Sequence, residues 1–214
     1  MGNTLTIFDL DNTLIQGDSS TVWSQFMVRE GLATQKGYLA REARLMADYD
    51  RGEMNIADYV ALIQAPLAGI PKSDVDALVA RCVREAILPR VYPQAWELIR
   101  RLRAEGDSVS LLVQAVAAAL EIDQALGIDV AMVDGGYSGE ITGIPSYQQG
   151  KVARLAQWRE AHPQYDGEVT FYTDSINDLP LCLHADRVRL VNPCPQLQAA
   201  GAGYGWPVLS WRLE

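Results

Sequence analysis

Strand and helix signals alternate over most of the chain, and this alternation limits the fold to a few architectures. Residues 5–10 are apolar, rich in β-formers and followed by turn residues, which predicts a buried strand. The elements predicted after Pro89 are helices at 95–104, 116–126 and 150–161, strands at 108–113, 168–173 and 187–191, and a β-hairpin at 135–143. Such alternation is typical of a parallel sheet covered on both faces. We therefore expect a doubly wound, Rossmann-like α/β core.

A segment of different texture separates the first strand from the rest of this core. Its apolar residues recur at helical spacing, turn sequences such as GIPKSD divide it, and Ser73 is a candidate N-cap. The aromatic residues of this segment are expected to be mostly core residues: Trp23, Phe26, Tyr38, Tyr49 and Tyr59. The pattern predicts a small all-helical cap at 17–88, inserted into an α/β core made of residues 1–16 and 89–214.

Composition excludes several classes of protein. The net charge of −9 and the lack of a basic run argue against a nucleic-acid-binding surface. Three widely spaced cysteines without a Cys-x-x-Cys pair favour neither a disulfide framework nor a zinc site, as expected in a reducing cytosol. The chain begins almost directly with a strand, and no apolar run reaches membrane-spanning length. We expect a cytoplasmic protein without a nucleic-acid or membrane partner.

Four aspartates are predicted to meet at one edge of the sheet. Asp9 and Asp11 lie at the carboxyl end of the first strand and, as residues i and i+2, face the same side. Asp174 ends a later strand, and Asp178 lies one helical turn further on. Sites in open parallel sheets form at these strand ends. Two carboxylates about 4 Å apart repel by about 4 kcal/mol at an effective dielectric of 20. Oxygen ligands without His or Cys suggest Mg²⁺ as the cation that removes this repulsion.

The order of these motifs resembles a known family. Asp9-Leu10-Asp11-Asn12-Thr13, then Lys151 after Gly150, then Asp174-Ser175-Ile176-Asn177-Asp178 resembles the haloacid dehalogenase superfamily of phosphohydrolases. The helical insert directly after the first strand is similar to the phosphoserine phosphatase branch. The resemblance covers nearly the whole chain, and the motifs are specific when they occur together in this order.

The resemblance implies a Mg²⁺-dependent phosphomonoester hydrolase that acts on a small phosphorylated metabolite through an aspartyl-phosphate. It also implies a role for each motif residue: Asp9 as nucleophile, Asp11 as general acid and base, Lys151 as the cation facing the phosphate, Asn177 as an orienting group, Thr13 as a loop lock, and Asp9, Asp11 (through its backbone carbonyl), Asp174 and Asp178 (through a water) around the metal. Without Mg²⁺ and a lysine, repulsion would keep an anionic carboxylate from a dianionic phosphate.

One position departs from the family pattern. The family places a Ser or Thr after the second core strand, where its hydroxyl binds phosphate, but this chain has Gln114 there, followed by Ala115. The Gln114 amide or the backbone N–H of Ala115 could still donate. This departure leaves open a catalytically weak protein that binds phosphate compounds. A dehalogenase is disfavoured by Asp11 and the magnesium set, and a phosphomutase by the position of the cap.

The resemblance also bears on the substrate. Phosphoserine phosphatases read the amino group with an acid shortly after the Asp-x-Asp loop, and the carboxylate with an arginine on a cap helix. Asp18 holds the place of that acid, although it could instead be an N-cap. The arginine's place falls near Ile63, and no arginine lies between Gly52 and Lys72. A buried carboxylate without a cation would be costly. We therefore expect an amine-bearing ester such as histidinol phosphate, phosphoethanolamine or phosphocholine, with phosphoserine as the alternative.

Overall fold

The computed structural model describes residues 3–106, 108–111, 114–122 and 124–214. Within these residues six strands form a parallel sheet, and two more form an antiparallel hairpin. The strands of the sheet are β1 (Leu5–Phe8), β2 (Ser108–Leu111), β3 (Gln124–Ala125), β6 (Val169–Thr173), β7 (Arg187–Val191) and β8 (Val208–Leu209), and those of the hairpin are β4 (Asp129–Val133) and β5 (Gly136–Thr142). The expected α/β class is confirmed.

The α-helices of the described residues fall into two groups. The helices between β1 and β2 are α1 (Ser19–Arg29), α2 (Tyr38–Asp50), α3 (Ile56–Gln64), α4 (Lys72–Cys82) and α5 (Pro93–Glu105). Those that follow β2 are α6 (Gln114–Ala117), α7 (Gln149–Ala161), α8 (Leu179–His184) and α9 (Pro195–Ala202). Helix α5 shows how a covering helix docks, because it buries a stripe at helical spacing: Ala95, Leu98, Ile99 and Leu102.

The strand order places β1 at the centre of the sheet. The order is β3-β2-β1-β6-β7-β8, so the chain runs outward from β1 in one direction and then returns to β6 on the other side. All four residues of β1 are buried, with Leu5 paired to Ser108 of β2 and to Val169 of β6. The direction of winding therefore reverses between β1 and β6, and ligands of open α/β sheets bind at such a switch point.

Residues 17–88 contain helices and no strand, all of these residues being described. Helices α1 to α4 bury a small core of their own, which includes Met27, Tyr38 and Val75. The chain crosses into and out of this segment side by side, since Gln16 N–H donates to the Arg90 carbonyl at 2.8 Å. This arrangement is that of a cap, although its predicted limits at 17 and 88 stay a prediction.

The β4–β5 hairpin packs against the cap helices, a contact that the sequence did not predict. The Lys72 backbone N–H donates to the Gly135 carbonyl at 3.0 Å, and the Tyr137 hydroxyl donates to Asp76 at 2.9 Å. The hairpin turn has positive φ at Asp134 (51°) and Gly135 (79°), the pair of conformations that a two-residue hairpin turn favours. The hairpin predicted at 135–143 is therefore confirmed only in part, because β5 fills nearly all of this range and its partner β4 lies before it.

Two local predictions are wrong. The helix predicted at 116–126 is only α6 with a 3₁₀ turn at 118–120, because Glu121 takes positive φ (57°) and the chain then pairs as β3 with β2. Ser73 does not cap a helix, because α4 already begins at Lys72 after Pro71. The other predicted helices and strands occur within one or two residues, except that residues 112 and 113 of the predicted 108–113 strand lie outside the described residues.

No helix of the described residues is long and apolar enough to cross a membrane.

Close packing at the start of α7 generates a testable prediction. A Cβ added at Gly150 would lie 2.0 Å from the backbone oxygen of Pro145. We expect Gly150→Ala to displace the first turn of α7 and to destabilise the fold by at least the roughly 1–3 kcal/mol of an overpacked core. Thermal unfolding followed by circular dichroism measures the loss.

The matched control is Gly203→Ala, where the added Cβ would make an ordinary contact of 3.7 Å with Ala200. That variant is expected to unfold within about 0.5 kcal/mol of the wild type. Equal stability of the two variants would show that the Pro145–Gly150 approach is not a constraint.

Candidate active site

The switch point between β1 and β6 brings the sequence-predicted acids to one cleft. Asp9 directly follows β1, and its backbone N–H donates to the Tyr172 carbonyl of β6 at 2.9 Å. Asp174 directly follows β6. The tight loop after Asp9 is closed by Asn12, whose side chain accepts the Gly17 N–H at 3.1 Å. Strand pairing therefore fixes both carboxylates at the same edge of the sheet.

Lys151 lies between two of these carboxylates. Its ammonium is 3.0 Å from Asp9 Oδ1 and also forms an ion pair with Asp178 Oδ1. The lysine is 6 % exposed and Asp178 is fully buried. Burial by itself would lower the pKa of Lys151, but the charges of Asp178 and Asp9 outweigh it and raise the pKa well above its usual value. The lysine is thus a permanent cation in the cleft.

Asp9 is buried and lies beside the Lys151 ammonium. Burial is the largest cause of its raised pKa of about 6, the Lys151 charge opposes it, and the Asp178 charge adds to it. The Lys151 charge therefore favours the ionised form of Asp9 against the effect of burial. A weakly hydrated carboxylate held in one orientation has the properties of a nucleophile.

Asp178 is held from two sides. The Thr173 hydroxyl donates to its Oδ2 at 2.7 Å. Its buried Oδ1 contacts the Lys151 ammonium as an ion pair, but no hydrogen bond of normal geometry reaches this atom in the described part of the chain. Besides its ion pair with Lys151, Asp178 Oδ1 can therefore accept a hydrogen bond from a further donor or contact a further cation.

Asp11 and Asp18 form the side of the cleft that faces α1. Asp11 Oδ1 accepts the Ser19 backbone N–H at 2.5 Å, and burial, followed by the charges of Asp18 and Asp9, raises its pKa well above its usual range. A carboxyl with a raised pKa holds a proton that it can give away. Asp18 is the N-cap of α1, accepting the Thr21 N–H at 2.8 Å. Its N-cap role is confirmed, and a role toward substrate stays a prediction.

Asp174 and Thr13 complete the inner wall. The Thr13 hydroxyl donates to Asp174 Oδ1 at 3.2 Å, which ties the loop after β1 to the end of β6. Burial raises the pKa of Asp174 well above its usual value, and the charges of Asp9 and Asp178 raise it further. These carboxyl groups thus lie within electrostatic reach of one another.

The donor atoms of the cleft determine which metal ion could bind there. Across the described ranges, no group of three or more His, Cys, Asp or Glu side chains is arranged to hold a metal ion. Asp9 and Asp174 remain as two hard oxygen donors that repel each other. Mg²⁺ keeps several waters and commonly uses only one or two carboxylates, so this donor set fits it. The arrangement of all four aspartates around a metal ion stays a prediction.

The remaining predicted residues lie in different surroundings. Asn177 is 4 % exposed, and its amide donates to the Tyr49 carbonyl of the cap at 2.8 Å. Gln114 and Ala115 begin α6 with exposed side chains. The structure therefore brings Asn177 into contact with the cap, whereas the Gln114 side chain faces solvent.

Sequence reasoning missed several cap residues near the cleft. Phe26 and Tyr38 lie in the core as expected, but Tyr49 is only partly buried. Burial is the largest cause of its raised pKa, the Lys151 charge opposes this effect, and the charges of Asp178 and Asp9 add to it. Tyr59 is likewise within reach of Asp18 and Asp11. The hydroxyls of Tyr49 and Tyr59 therefore lie near the charged groups of the cleft.

Glu42 is a buried acid that the sequence analysis did not name. It is 3 % exposed, and its Oε1 accepts the Thr21 hydroxyl at 2.6 Å. Burial raises its pKa, the Thr21 hydrogen bond opposes this effect, and the Asp18 charge adds to it. Glu42 follows Tyr38 by four residues on α2, so a charged residue on the buried helix face was the available sequence signal.

Comparisons with known proteins agree with this geometry. The family model described as "haloacid dehalogenase-like hydrolase" matches residues 6–182. A histidinol-phosphatase of Neisseria meningitidis serogroup C (strain 8013) is 32% identical, over 97% of this chain and 99% of the relative. The solved structure of a protein of unknown function from Bordetella pertussis Tohama I aligns with a TM-score of 0.86 at 31% identity, over 98% of this chain and 99% of that chain.

A substrate-bound phosphoserine phosphatase aligns over 93% of this chain and 90% of that chain, with a TM-score of 0.64 and 16% identity, which shows a shared fold. The chain belongs to the haloacid dehalogenase-like hydrolases. Within them it is an enzyme of the phosphatase class, with the fold of the phosphoserine phosphatases.

The buried acid of the cap gives a pH-dependent prediction. Because the folded-state pKa of Glu42 is raised above its unfolded value, its favourable contribution is present at low pH and is lost as pH rises through the folded pKa. Glu42→Gln keeps an acceptor for Thr21 without the charge. We expect its melting temperature to equal that of the wild type near about pH 4 and to exceed it near about pH 8.

The control for this measurement is Glu97→Gln, at an exposed position of α5. That variant should follow the wild type at both pH values. A Glu42→Gln difference of the same size at both pH values would mean that ionisation of Glu42 does not limit stability.

Proposed function

We propose that the chain hydrolyses phosphomonoesters of small metabolites, with Mg²⁺ and through an aspartyl-phosphate on Asp9. The observation that carries this proposal is the Asp9 carboxylate at the switch point, buried, with the Lys151 ammonium 3.0 Å from its Oδ1. An anionic nucleophile can approach an anionic phosphate only where positive charge is already in place.

Each residue has a chemical part in the proposed reaction. Asp9 Oδ attacks phosphorus as the bond to the leaving oxygen breaks, and Lys151 stabilises charge on the phosphoryl oxygens. Asp11, whose pKa is raised by burial and neighbouring carboxylates, gives its proton to the leaving oxygen. In the second half of the reaction, the Asp11 carboxylate takes a proton from the water that attacks the aspartyl-phosphate.

Mg²⁺ would be held by the side chains of Asp9 and Asp174 and by the backbone carbonyl of Asp11, with Asp178 acting through a water. When bound, it supplies charge neutralisation for the two carboxylates and the phosphate. The mutual repulsion of Asp9 and Asp174 supports a cation at this place.

The cap is proposed to close over the bound ester and to exclude water. The segment that enters the cap contains Gly17 with φ of 95°, and the segment that leaves it contains the 3₁₀ turn Leu88–Arg90. These junctions are the proposed hinges. In the closed position the Tyr49 carbonyl of the cap accepts the hydrogen bond from the Asn177 amide of the core.

The proposed substrate carries an amine and no carboxylate. Across the part of the chain that is described, neither Asp18 nor Glu42 forms an ion pair with Lys, Arg or His. Ile63, at the expected arginine position, is an apolar residue packed against the cap core. Two acids without a cation favour a positively charged group of the substrate. A relative named histidinol-phosphatase supports histidinol phosphate, and phosphoserine is the alternative.

A catalytically weak phosphate-compound-binding protein is the second candidate, favoured by the exposed Gln114 side chain. Loss of one preorganised donor costs about 10²–10³ in rate. In this case Mg²⁺ and inorganic phosphate would bind, but turnover would be absent.

The central test is hydrolysis of p-nitrophenyl phosphate with and without Mg²⁺. We expect turnover that depends on Mg²⁺, and we expect Asp9→Asn to lower kcat by roughly 10²-fold or more, since the amide cannot form the acyl-phosphate. Far-UV circular dichroism checks that the variant is folded. A variant that keeps more than about a hundredth of the rate would rule out covalent catalysis through Asp9.

Substrate choice is tested by the ratio of kcat/KM for histidinol phosphate and phosphoserine. We expect the wild type to favour histidinol phosphate by roughly tenfold or more, and Asp18→Asn to reduce that preference, because a charge partner of the amine is lost. Asp74→Asn, at an exposed position of the cap, is the matched control and should keep the preference. A preference for phosphoserine would refute this substrate assignment while leaving the phosphatase reaction intact.

A further inference from the structure

Gln148, the residue before α7, has a backbone conformation that few side chains adopt. Its φ is 47° and its ψ is −124°, in the region that favours glycine. Such a conformation persists only where surrounding contacts hold it, and it is found most often at functional sites. The side chain of Gln148 makes contacts that account for it.

The Gln148 amide bridges the core and the cap. Its Nε2 lies 3.1 Å from the carbonyl oxygen of Gly52 and 3.1 Å from Oδ1 of Asn177, with the Tyr147 hydroxyl at 3.2 Å. An amide nitrogen has two hydrogens, so it can serve one acceptor in the cap and one in the cleft at the same time. Gly52 has φ of 72°, and a Cβ there would lie only 3.4 Å from Asn177 Oδ1. The cap turn therefore fits closely against both amides.

Asn177 is held by the same cap segment from its other end. Its Nδ2 donates to the Tyr49 carbonyl at 2.8 Å, while its Oδ1 accepts from Gln148. The cap turn therefore holds the nitrogen of the Asn177 amide directly, and it holds the oxygen through Gln148, whose amide also binds the Gly52 carbonyl. Asn177 lies between Asp174 and Asp178 in the sequence, on the loop that carries the cleft carboxylates.

We propose that Gln148 is a positioning residue that couples closure of the cap to the orientation of Asn177. The proposal rests on the proposed phosphatase function. When the cap moves away, Asn177 loses the Tyr49 carbonyl, and Gln148 loses the Gly52 carbonyl that holds its amide against Asn177 Oδ1. Asp9 and Lys151 remain in place in either position, because their contacts lie within the core. Capture of phosphate thus does not depend on Gln148, whereas turnover in the closed state does.

The test uses Gln148→Met, which keeps the length of the side chain and removes its N–H donors. The matched control is Gln149→Met, the same substitution at the exposed neighbouring residue. Hydrogen exchange of the amides at 49–53 reports cap closure, and kcat and KM for p-nitrophenyl phosphate with Mg²⁺ report catalysis. For Gln148→Met we expect exchange to rise and kcat to fall, each by roughly tenfold, with KM within about threefold, as for the loss of one hydrogen bond.

Gln149→Met should change neither quantity. Wild-type exchange and kcat in Gln148→Met would overturn the proposal. A lower kcat with unchanged exchange at 49–53 would also overturn it, because the effect would then be local to α7. If the wild type does not hydrolyse the ester, the proposed function fails, while the exchange comparison still tests the link to the cap.

A second variant separates loss of the hydrogen bonds from loss of the fold. Gln148→Gly removes the donors and also relieves the positive φ, so its melting temperature should equal or exceed that of the wild type. It should nevertheless show the same rise in exchange at 49–53. A Gln148→Gly protein that is stable and has wild-type exchange would exclude the coupling.

Discussion

A single buried lysine holds the cleft together. Lys151 lies between Asp9 and Asp178, and each of the three groups would be costly to bury alone. Its place depends on backbone packing far from the charges, because α7 can approach Pro145 only where Gly150 has no side chain. The pairing of β1 with β6 fixes Asp9 from the other side. Loss of either support would leave an unpaired charge in the cleft, which typically costs about 3–5 kcal/mol.

Two of the contacts between the cap and this cleft use backbone carbonyls of the cap. Asn177 binds the Tyr49 carbonyl, and Gln148 binds the Gly52 carbonyl. A backbone carbonyl can make these contacts whatever side chains the neighbouring cap positions carry. The exception is Gly52, where the close approach requires a glycine. The cap can therefore dock in the same way while side chains such as Glu42 vary with the substrate. In the proposed function, docking and recognition would thus be carried by different atoms of the same helices.

The fold was predictable where its signals are local. The apolar run of β1 and the two aspartates after it, and the amphipathic stripe of α5, can be read residue by residue. The alanine-rich stretch at 116–126 misled because pairing of β3 with β2, a non-local interaction, outweighs helix propensity. Glu42 and Gln148 were missed for the same reason, since each acquires its role from residues that are distant in the sequence.

Charge is divided between the two walls of the cleft, and this division constrains how a substrate lies. The core wall holds the Lys151 ammonium together with the carboxylates of Asp9 and Asp178, so it would attract a phosphate once the proposed Mg²⁺ is bound, whereas the carboxylates of Asp18 and Glu42 belong to the α1–α2 side. Burial raises the pKa of Glu42, so its ionised form is an unfavourable feature of the free protein that a bound cation would relieve. For an ester with a phosphate at one end and an amine at the other, only one orientation satisfies both walls. That orientation directs the phosphate to Asp9, so the acids proposed to bind the amine would also align the phosphorus for attack.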